Sequence, residues 1–193
     1  INYALNKMNF KKLGMDSDWV VGPSLWGTFK KLGIPEENLN EAVNLYRERY
    51  NVKGYLENSV YVGIPGQLAM LLEMGYVLSL ATSKPTVSAS AILEYFDLTR
   101  YFSYEFGSNL DGSLSDKSIL LKHALAVTGF EPDNALMIGD RQYDIIGAKS
   151  NLIKSVGVSY GYGSTSELRE AGADLLVEKP AELAKAVQKL LPM

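Results

Sequence analysis

The stretch ALMIGDRQYDIIGAK, Ala135–Lys149, decides how the rest of the chain is read. A short apolar run leads straight into Gly139 and Asp140, and a second carboxylate, Asp144, stands four positions further on. Such a run predicts a buried strand, and the polar residues behind it predict the opening of a helix. Asp140 then falls at the carboxyl end of a strand, where open α/β sheets hold their ligands. Gly139 allows the backbone to approach closely, and Asp144, one helical turn on, can face the same point. Two carboxylates converging there suit a hard divalent cation, and Mg²⁺ is the usual choice when phosphate oxygens complete the shell. The alternative is that Asp140 caps the following helix and Asp144 is a solvated first-turn acid.

Further out, four other short runs share this character: YVLSLAT (Tyr76–Thr82), YEFGS (Tyr104–Ser108), SVGVSY (Ser155–Tyr160) and DLLVE (Asp174–Glu178). Runs that are apolar on both sides predict strands covered on both faces, the signature of a parallel sheet. Segments such as TVSASAILEYF, KSILLKHALAV and PAELAKAVQKLL supply the crossover helices between them. Before Tyr61 no convincing alternation appears. There Leu39, Ala42, Val43, Tyr46 and Tyr50 recur at the spacing of one helix face, with Glu41, Arg47 and Glu48 opposite and Pro35 with two glutamates as the entrance. The expectation is a small all-helical unit over 1–61 and an α/β unit over 62–193, with the boundary near Asn58 to Gly63. The most apolar stretch, Leu68–Thr82, is interrupted by Glu73 and Gly75 and is shorter than a membrane span of about 20 residues. It reads as a helix followed by a strand.

Composition narrows the chemistry. With 193 residues, 47% of them hydrophobic, the chain can bury a sizeable core. A net charge of -3 lacks the basic excess that a nucleic-acid polymer or an anionic membrane asks for, while a small anionic substrate remains compatible. The absence of cysteine removes disulfides and thiolate nucleophiles, and a single histidine argues against an imidazole-bound zinc. A reducing, cytoplasmic setting suits such a composition.

Two further places carry polar groups at element ends. In LSLATSKPT a strand ends in Thr82 and Ser83, with Lys84 and Pro85 behind. A hydroxyl and successive backbone N–H groups leading into a helix make a neutral phosphate cradle; the alternative is that both residues cap the helix beginning near Thr86. Lys117, in DGSLSDKSILL, stands at a helix opening, where the macrodipole disfavours a cation and a partner anion is called for. The alternative is an ordinary exposed lysine.

The succession of strand-Thr-Ser-Lys, helix-opening lysine and strand-Gly-Asp-x-x-x-Asp resembles the second, third and fourth motifs of the haloacid dehalogenase superfamily. The tail GVSYGYGSTSELREAGADLLVEKPAEL is similar to the segment after the fourth motif in phosphoglycolate phosphatases and their nucleotidase and pyrophosphatase relatives. VVGPSLWGTFKKL and NLYRERYNVKGYLENSVYVGIP resemble the helical cap of that branch, apart from Val62, where relatives often carry proline. The resemblance implies a Rossmann-like parallel sheet with helices on both faces plus a small helical cap, and Mg²⁺-dependent hydrolysis of a small phosphomonoester of the phosphoglycolate or nucleoside monophosphate type. It implies that Thr82 and the Ser83 N–H bind the transferring phosphoryl group, that Lys117 neutralises charge, that Asp140 ligates Mg²⁺ and that Asp144 supports it. The implied partner is a small phosphorylated metabolite, with the protein a monomer or homodimer.

The family's nucleophile is an aspartate in a strand-borne D-x-D-G-T signature, for which the sequence has no counterpart. Asp16 and Asp18 have its spacing but neither the preceding strand nor the Gly-Thr, and Asp111-Gly112 reads as a turn. In the family that strand lies mid-sheet, so its absence leaves two half-sheets with unpaired inner edges. The opening INYALNKMNFKKLG reads as the middle of a helix, and the expectation is that an upstream strand belongs to the natural protein and that the chain as written is inactive. A second reading is a non-catalytic phosphate- and metal-binding module. A Rossmann or response-regulator domain ranks last, because no G-x-G-x-x-G follows a strand. His123 reads as a surface or packing residue and Trp19, Trp26, Phe29 and Tyr46 as core. Arg47 and Arg49 read equally as substrate contacts or as solvated helix faces, and Tyr160–Ser164 as a loop over the site's edge.

Overall fold

The computed structural model describes residues 1–14 and 17–192, which fall into two units, Ile1–Ser59 and Val60–Met193. The first holds α1 (Asn2–Lys7), α2 (Leu25–Lys31) and α3 (Leu39–Tyr50), and no strand among its described residues. Helix α3 covers the stretch whose spacing predicts it, and it buries Leu39, Ala42 and Val43 against Ala4, Leu5, Phe29 and Ile34. Pro35 opens a 3-10 turn, Glu36–Asn38, that leads into α3. Of the four aromatic residues, Phe29 is fully buried and Trp26 and Tyr46 pack against its cluster. Arg47 lies over the Trp26 ring at 5.2 Å and Lys31 over Trp19 at 4.4 Å. Asp16 lies outside the described residues; Asp18 opens a 3-10 turn.

The second unit runs α4 (Ile64–Glu73), β1 (Ser79–Pro85), α5 (Thr86–Tyr95), β2 (Tyr104–Ser108), α6 (Lys117–Thr128), β3 (Leu136–Gly139), α7 (Gln142–Ser150), β4 (Lys154–Val158), α8 (Thr165–Ala171), β5 (Leu175–Val177) and α9 (Leu183–Leu190). All pairings are parallel, in two groups, β1-β2 and β3-β4-β5. Side-chain alternation along β3 distributes the helices. Leu136 and Ile138 pack with Leu71 of α4 and with Ala184 and Val187 of α9, while Met137 packs with Leu121 of α6 and Ala148 of α7. Helices therefore cover both faces. Fully buried residues such as Leu120 and Ile145 contribute about 1.5–3 kcal/mol each through lost water contact.

The structure moves one strand. The apolar run Tyr76–Thr82 predicts the strand, but β1 begins at Ser79 and continues through Pro85. Gly75 turns the chain out of α4 with φ 91, a left-handed geometry suited to glycine, and Tyr76 is spent on the core, its hydroxyl donating to the Leu191 carbonyl. At the far end, pairing resumes at Pro85↔Ser108 beyond a register shift, so the strand outlasts its apolar run. Coverage also differs between strands. Ser155–Val158 of β4, between two neighbours, are buried, whereas β1 is half-exposed along most of its length. Strand β1 has β2 on one side and, among the described residues, no strand on the other.

Candidate active site

Lysine 117 is the first residue of α6 and is only 8% exposed. Its ammonium donates to the Ala81 carbonyl of β1 at 2.8 Å and pairs with Asp144 Oδ1 of α7 at 3.0 Å. A cation at a helix N-terminus is unfavourable in itself, and here the Asp144 carboxylate compensates it in a buried setting. Asp116 satisfies the helix start by accepting from the Ser118 and Ile119 N–H groups. Gly147 makes room for the lysine stem: a Cβ there would lie 2.7 Å from Lys117 Cγ. The exposed-lysine reading is thereby excluded, and the anion called for at this position is Asp144.

The Gly139-Asp140 end of β3 is equally crowded. Asp144 is 8% exposed, not a solvated acid, and its Oδ2 accepts from the Arg141 N–H at 3.1 Å. A Cβ on Gly139 would come within 2.2 Å of Asp144 Cβ, so only glycine lets the carboxylate fold back against the strand end. Asp140 does not cap α7, since Arg141 occupies the N-cap position. Instead Asp140 Oδ2 accepts from the Tyr162 N–H at 2.8 Å.

Thr82 and Ser83 do not cap α5 either: its N-cap is Pro85, with no side-chain hydrogen bond. Thr82 Oγ1 accepts from the Lys84 N–H at 3.2 Å, which leaves the hydroxyl proton free to donate elsewhere. Ser83 Oγ donates to the Ser115 carbonyl at 3.0 Å, tying β1 to the turn that precedes Lys117. Four steps of β1, Ala81 to Pro85, stand opposite two of β2, Phe106 to Ser108, a bulge of the sort that re-aims backbone groups beside functional sites. Gly107 permits it, because a Cβ there would meet the Thr86 nitrogen at 2.6 Å. The Lys84 side chain meets solvent, yet surrounding protein atoms desolvate its ammonium and hold it below the usual lysine range; Asp140 opposes that shift and the Lys117 charge adds to it.

The structure thus joins Lys117 with Asp144 directly, and with Thr82 through the neighbouring Ala81 carbonyl. Asp144, folded against Gly139, brings the strand end that bears Asp140 into the same neighbourhood. His123 is exposed and lies edge-on to Phe106 at 6.0 Å. Asp111 forms a turn, accepting from the Ser113 N–H at 2.9 Å. A cavity of about 640 Å³ opens between α7 and α8, lined by Ile146, Lys149 and Glu170 among others, and contains none of the five motif side chains.

Two features escape a reading by motif. Arg141, 6% exposed, donates from Nε to Glu167 Oε1 at 2.8 Å, and the same oxygen accepts from the Gln142 N–H at 2.9 Å, so α8 is latched to the start of α7. Ser164 and Glu167, three residues apart, carry the capping-box signature that could have marked this corner, and Ser164 Oγ does accept from the Glu167 N–H at 3.1 Å. The second is the Tyr160–Ser164 loop, which lies against Asp140: a Cβ on Gly161 would fall 2.3 Å from Asp140 Cβ, and one on Gly163 would fall 2.0 Å from the Asp140 carbonyl oxygen. The alternating glycines were its only sequence signal.

Among the described residues no three His, Cys, Asp or Glu side chains converge as a metal cage. The donor set nevertheless fits a hard cation that takes one or two carboxylates and draws the rest of its oxygens from water and phosphate. Asp140 keeps Oδ1 available beyond the Tyr162 contact, while both Asp144 oxygens are engaged by Lys117 and Arg141.

A model of the family described as haloacid dehalogenase-like hydrolase matches residues 1–158. A 5'-nucleotidase of Pseudomonas aeruginosa is 42% identical over 165 residues, covering 82% of this chain and 75% of that protein. Tyrosine-protein kinase PtkA of Mycobacterium tuberculosis is 38% identical over 144 residues, covering 75% of this chain and 49% of PtkA, so the chain spans about half of that relative's length. A crystal structure of a predicted phosphatase from Clostridium acetobutylicum superposes with a TM-score of 0.94 at 42% identity, covering 97% of this chain and 88% of the other. On the extent of the family match and the identity to these relatives, the chain belongs to the haloacid dehalogenase-like hydrolase family.

Proposed function

We propose that the chain carries the phosphate- and metal-binding machinery of a Mg²⁺-dependent phosphatase acting on a small phosphomonoester of the phosphoglycolate or nucleoside monophosphate type. The observation that carries this reading is the position of the Lys117 ammonium, bonded at once to the Ala81 carbonyl and to Asp144. It links the strand end that bears Thr82 to the segment that bears Asp140. Family membership and relatives described as a nucleotidase and a phosphatase support a phosphoric monoester hydrolase.

In this reading the Thr82 hydroxyl and the Ser83 N–H donate to the phosphoryl oxygens, and Lys117 sets a fixed positive charge against them. Phosphoryl transfer is accelerated mainly by such positioning and charge. Asp140 would hold Mg²⁺, with the Tyr162 N–H orienting its carboxylate and Asp144 holding Lys117 in place. Bound there, Mg²⁺ supplies charge neutralisation of the phosphoryl oxygens. The nucleophile is an aspartate of a strand that the sequence does not carry, placed between β1 and β3: its carboxylate attacks phosphorus as the P–O bond to the departing alcohol breaks, and water then cleaves the aspartyl-phosphate, releasing inorganic phosphate and regenerating the carboxylate; without it the chain is inactive. Support for that placement is the division into β1-β2 and β3-β4-β5, in which β1 and β3 each pair on one side only among the described residues.

The test is hydrolysis of a chromogenic aryl phosphate by the natural full-length protein with and without Mg²⁺. Chelation abolishes turnover, and Asp140→Asn lowers kcat by about 100-fold or more. Undiminished activity of Asp140→Asn refutes the proposal. Mg²⁺-dependent phosphate binding without turnover in the natural protein supports the non-catalytic module instead.

A further inference from the structure

Beside Asp140 the α/β unit carries three tyrosines that phosphoryl chemistry does not require. Tyr160 and Tyr162 flank Gly161 in the loop after β4, and Tyr61 precedes α4. Tyr160 is the fixed member: it packs against the cluster of Val156, Val158 and Val177 and meets the Tyr61 ring edge-on at 5.3 Å. Tyr162 is fixed by its backbone, whose N–H donates to Asp140 Oδ2 at 2.8 Å. The lack of a side chain at Gly161 is what lets the loop backbone come down onto the aspartate, since a Cβ would stand 2.3 Å from Asp140 Cβ.

The outer two rings are left open. Tyr61 is 46% exposed and Tyr162 is 53% exposed, although large aromatic side chains gain most from burial. Phenol rings bring no charged group toward a phosphate, and their faces accept a flat ring. Stacking of this kind tolerates any base, because every base has a π-face. A short aliphatic phosphate offers nothing for such a surface to hold.

We propose that Tyr61 and Tyr162, buttressed by Tyr160, form an aromatic rim that selects phosphomonoesters whose alcohol carries a planar ring, nucleoside monophosphates above all, over short aliphatic ones. The inference rests on the phosphatase reading of Asp140 and Lys117 and assigns its substrate class to residues of the α/β unit.

The experiment compares kcat/KM for a nucleoside monophosphate and for 2-phosphoglycolate in the natural full-length protein, in Tyr61→Ala/Tyr162→Ala and in Tyr61→Phe/Tyr162→Phe. The alanine pair lowers the nucleotide-to-aliphatic ratio by about tenfold, the equivalent of one stacked base, through KM, and the phenylalanine pair restores it. The Tyr162 N–H survives both substitutions, so the Asp140 contact is kept. A ratio unchanged in the alanine pair, or both substrates falling in parallel, overturns the rim. Calorimetric binding of the same nucleotide separates the two proposals: if wild-type turnover is absent, the phosphatase reading fails, while binding weakened about tenfold by the alanine pair and retained by the phenylalanine pair still supports the rim. Equal binding in all three proteins sinks it.

Discussion

The helical unit and the α/β unit each contain a close cation-carboxylate pair, and the two behave as different objects. Arg49 grips Glu57 at 2.6 Å and 2.8 Å with both side chains roughly half-exposed. Lys117 meets Asp144 at 3.0 Å with side chains 7% and 11% exposed. Geometry alone favours the first, which is bidentate. Water decides otherwise: the exposed pair exchanges one good solvent for another, whereas each buried partner has only the other and a few backbone groups to face. The Lys117-Asp144 pair also spans two chain segments that share no strand pairing, so it organises the site as well as stabilising it.

The sharpest way to break this contrast is to remove one buried partner. Lys117→Met strands the Asp144 carboxylate and is expected to cost about 3–5 kcal/mol in denaturant unfolding, whereas Lys117→Met/Asp144→Leu recovers much of that loss without restoring turnover. Equal destabilisation by the single and double variants would show that packing, not charge, holds this corner. Gly139→Ala comes next. Its Cβ would collide with Asp144 Cβ, and overpacking of that kind costs about 1–3 kcal/mol. Thermal unfolding of Gly139→Ala beside Gly66→Ala, where a Cβ meets no described residue within 4 Å, measures the collision. Glu167→Gln removes the charged acceptor of the buried Arg141 Nε and is expected to cost about 1.5–3 kcal/mol, with a higher Mg²⁺ half-saturation as α8 loosens from α7. The smallest effect belongs to the other side of the comparison: Arg49→Ala leaves the melting temperature unchanged within error and abolishes any salt dependence the pair confers.

Much of the fold was legible because it repeats. Leu39, Ala42 and Val43 fall on one face of α3 by spacing alone, and β2 spans the residues of its apolar run. Strand β1 was misplaced by three residues at each end because apolar character marks where a chain is buried, and Tyr76 is buried without being in the ladder. Strand β1 is also half-exposed along most of its length and, among the described residues, has a strand along one edge alone, which no local pattern reports. The five motif residues were legible as types at element ends. Glu167 was not, because a capping residue looks the same whether or not it also accepts from a buried arginine of another helix; the Tyr160–Ser164 loop reads from sequence as a loop over the site's edge, but its glycines do not say which group it meets.

The sequence by itself determined the element types, the parallel sheet and the candidate residues to which the family resemblance points, because each is written in local period, end signals and motif order. Only the tertiary structure decided which groups meet: Lys117 with the Ala81 carbonyl and Asp144, Arg141 with Glu167, and Asp140 with the Tyr162 backbone. The physical reason is that a hydrogen bond or ion pair forms between whatever donors and acceptors packing brings within about 3 Å, and that proximity is set by how distant segments pack, which leaves no periodic trace in either one.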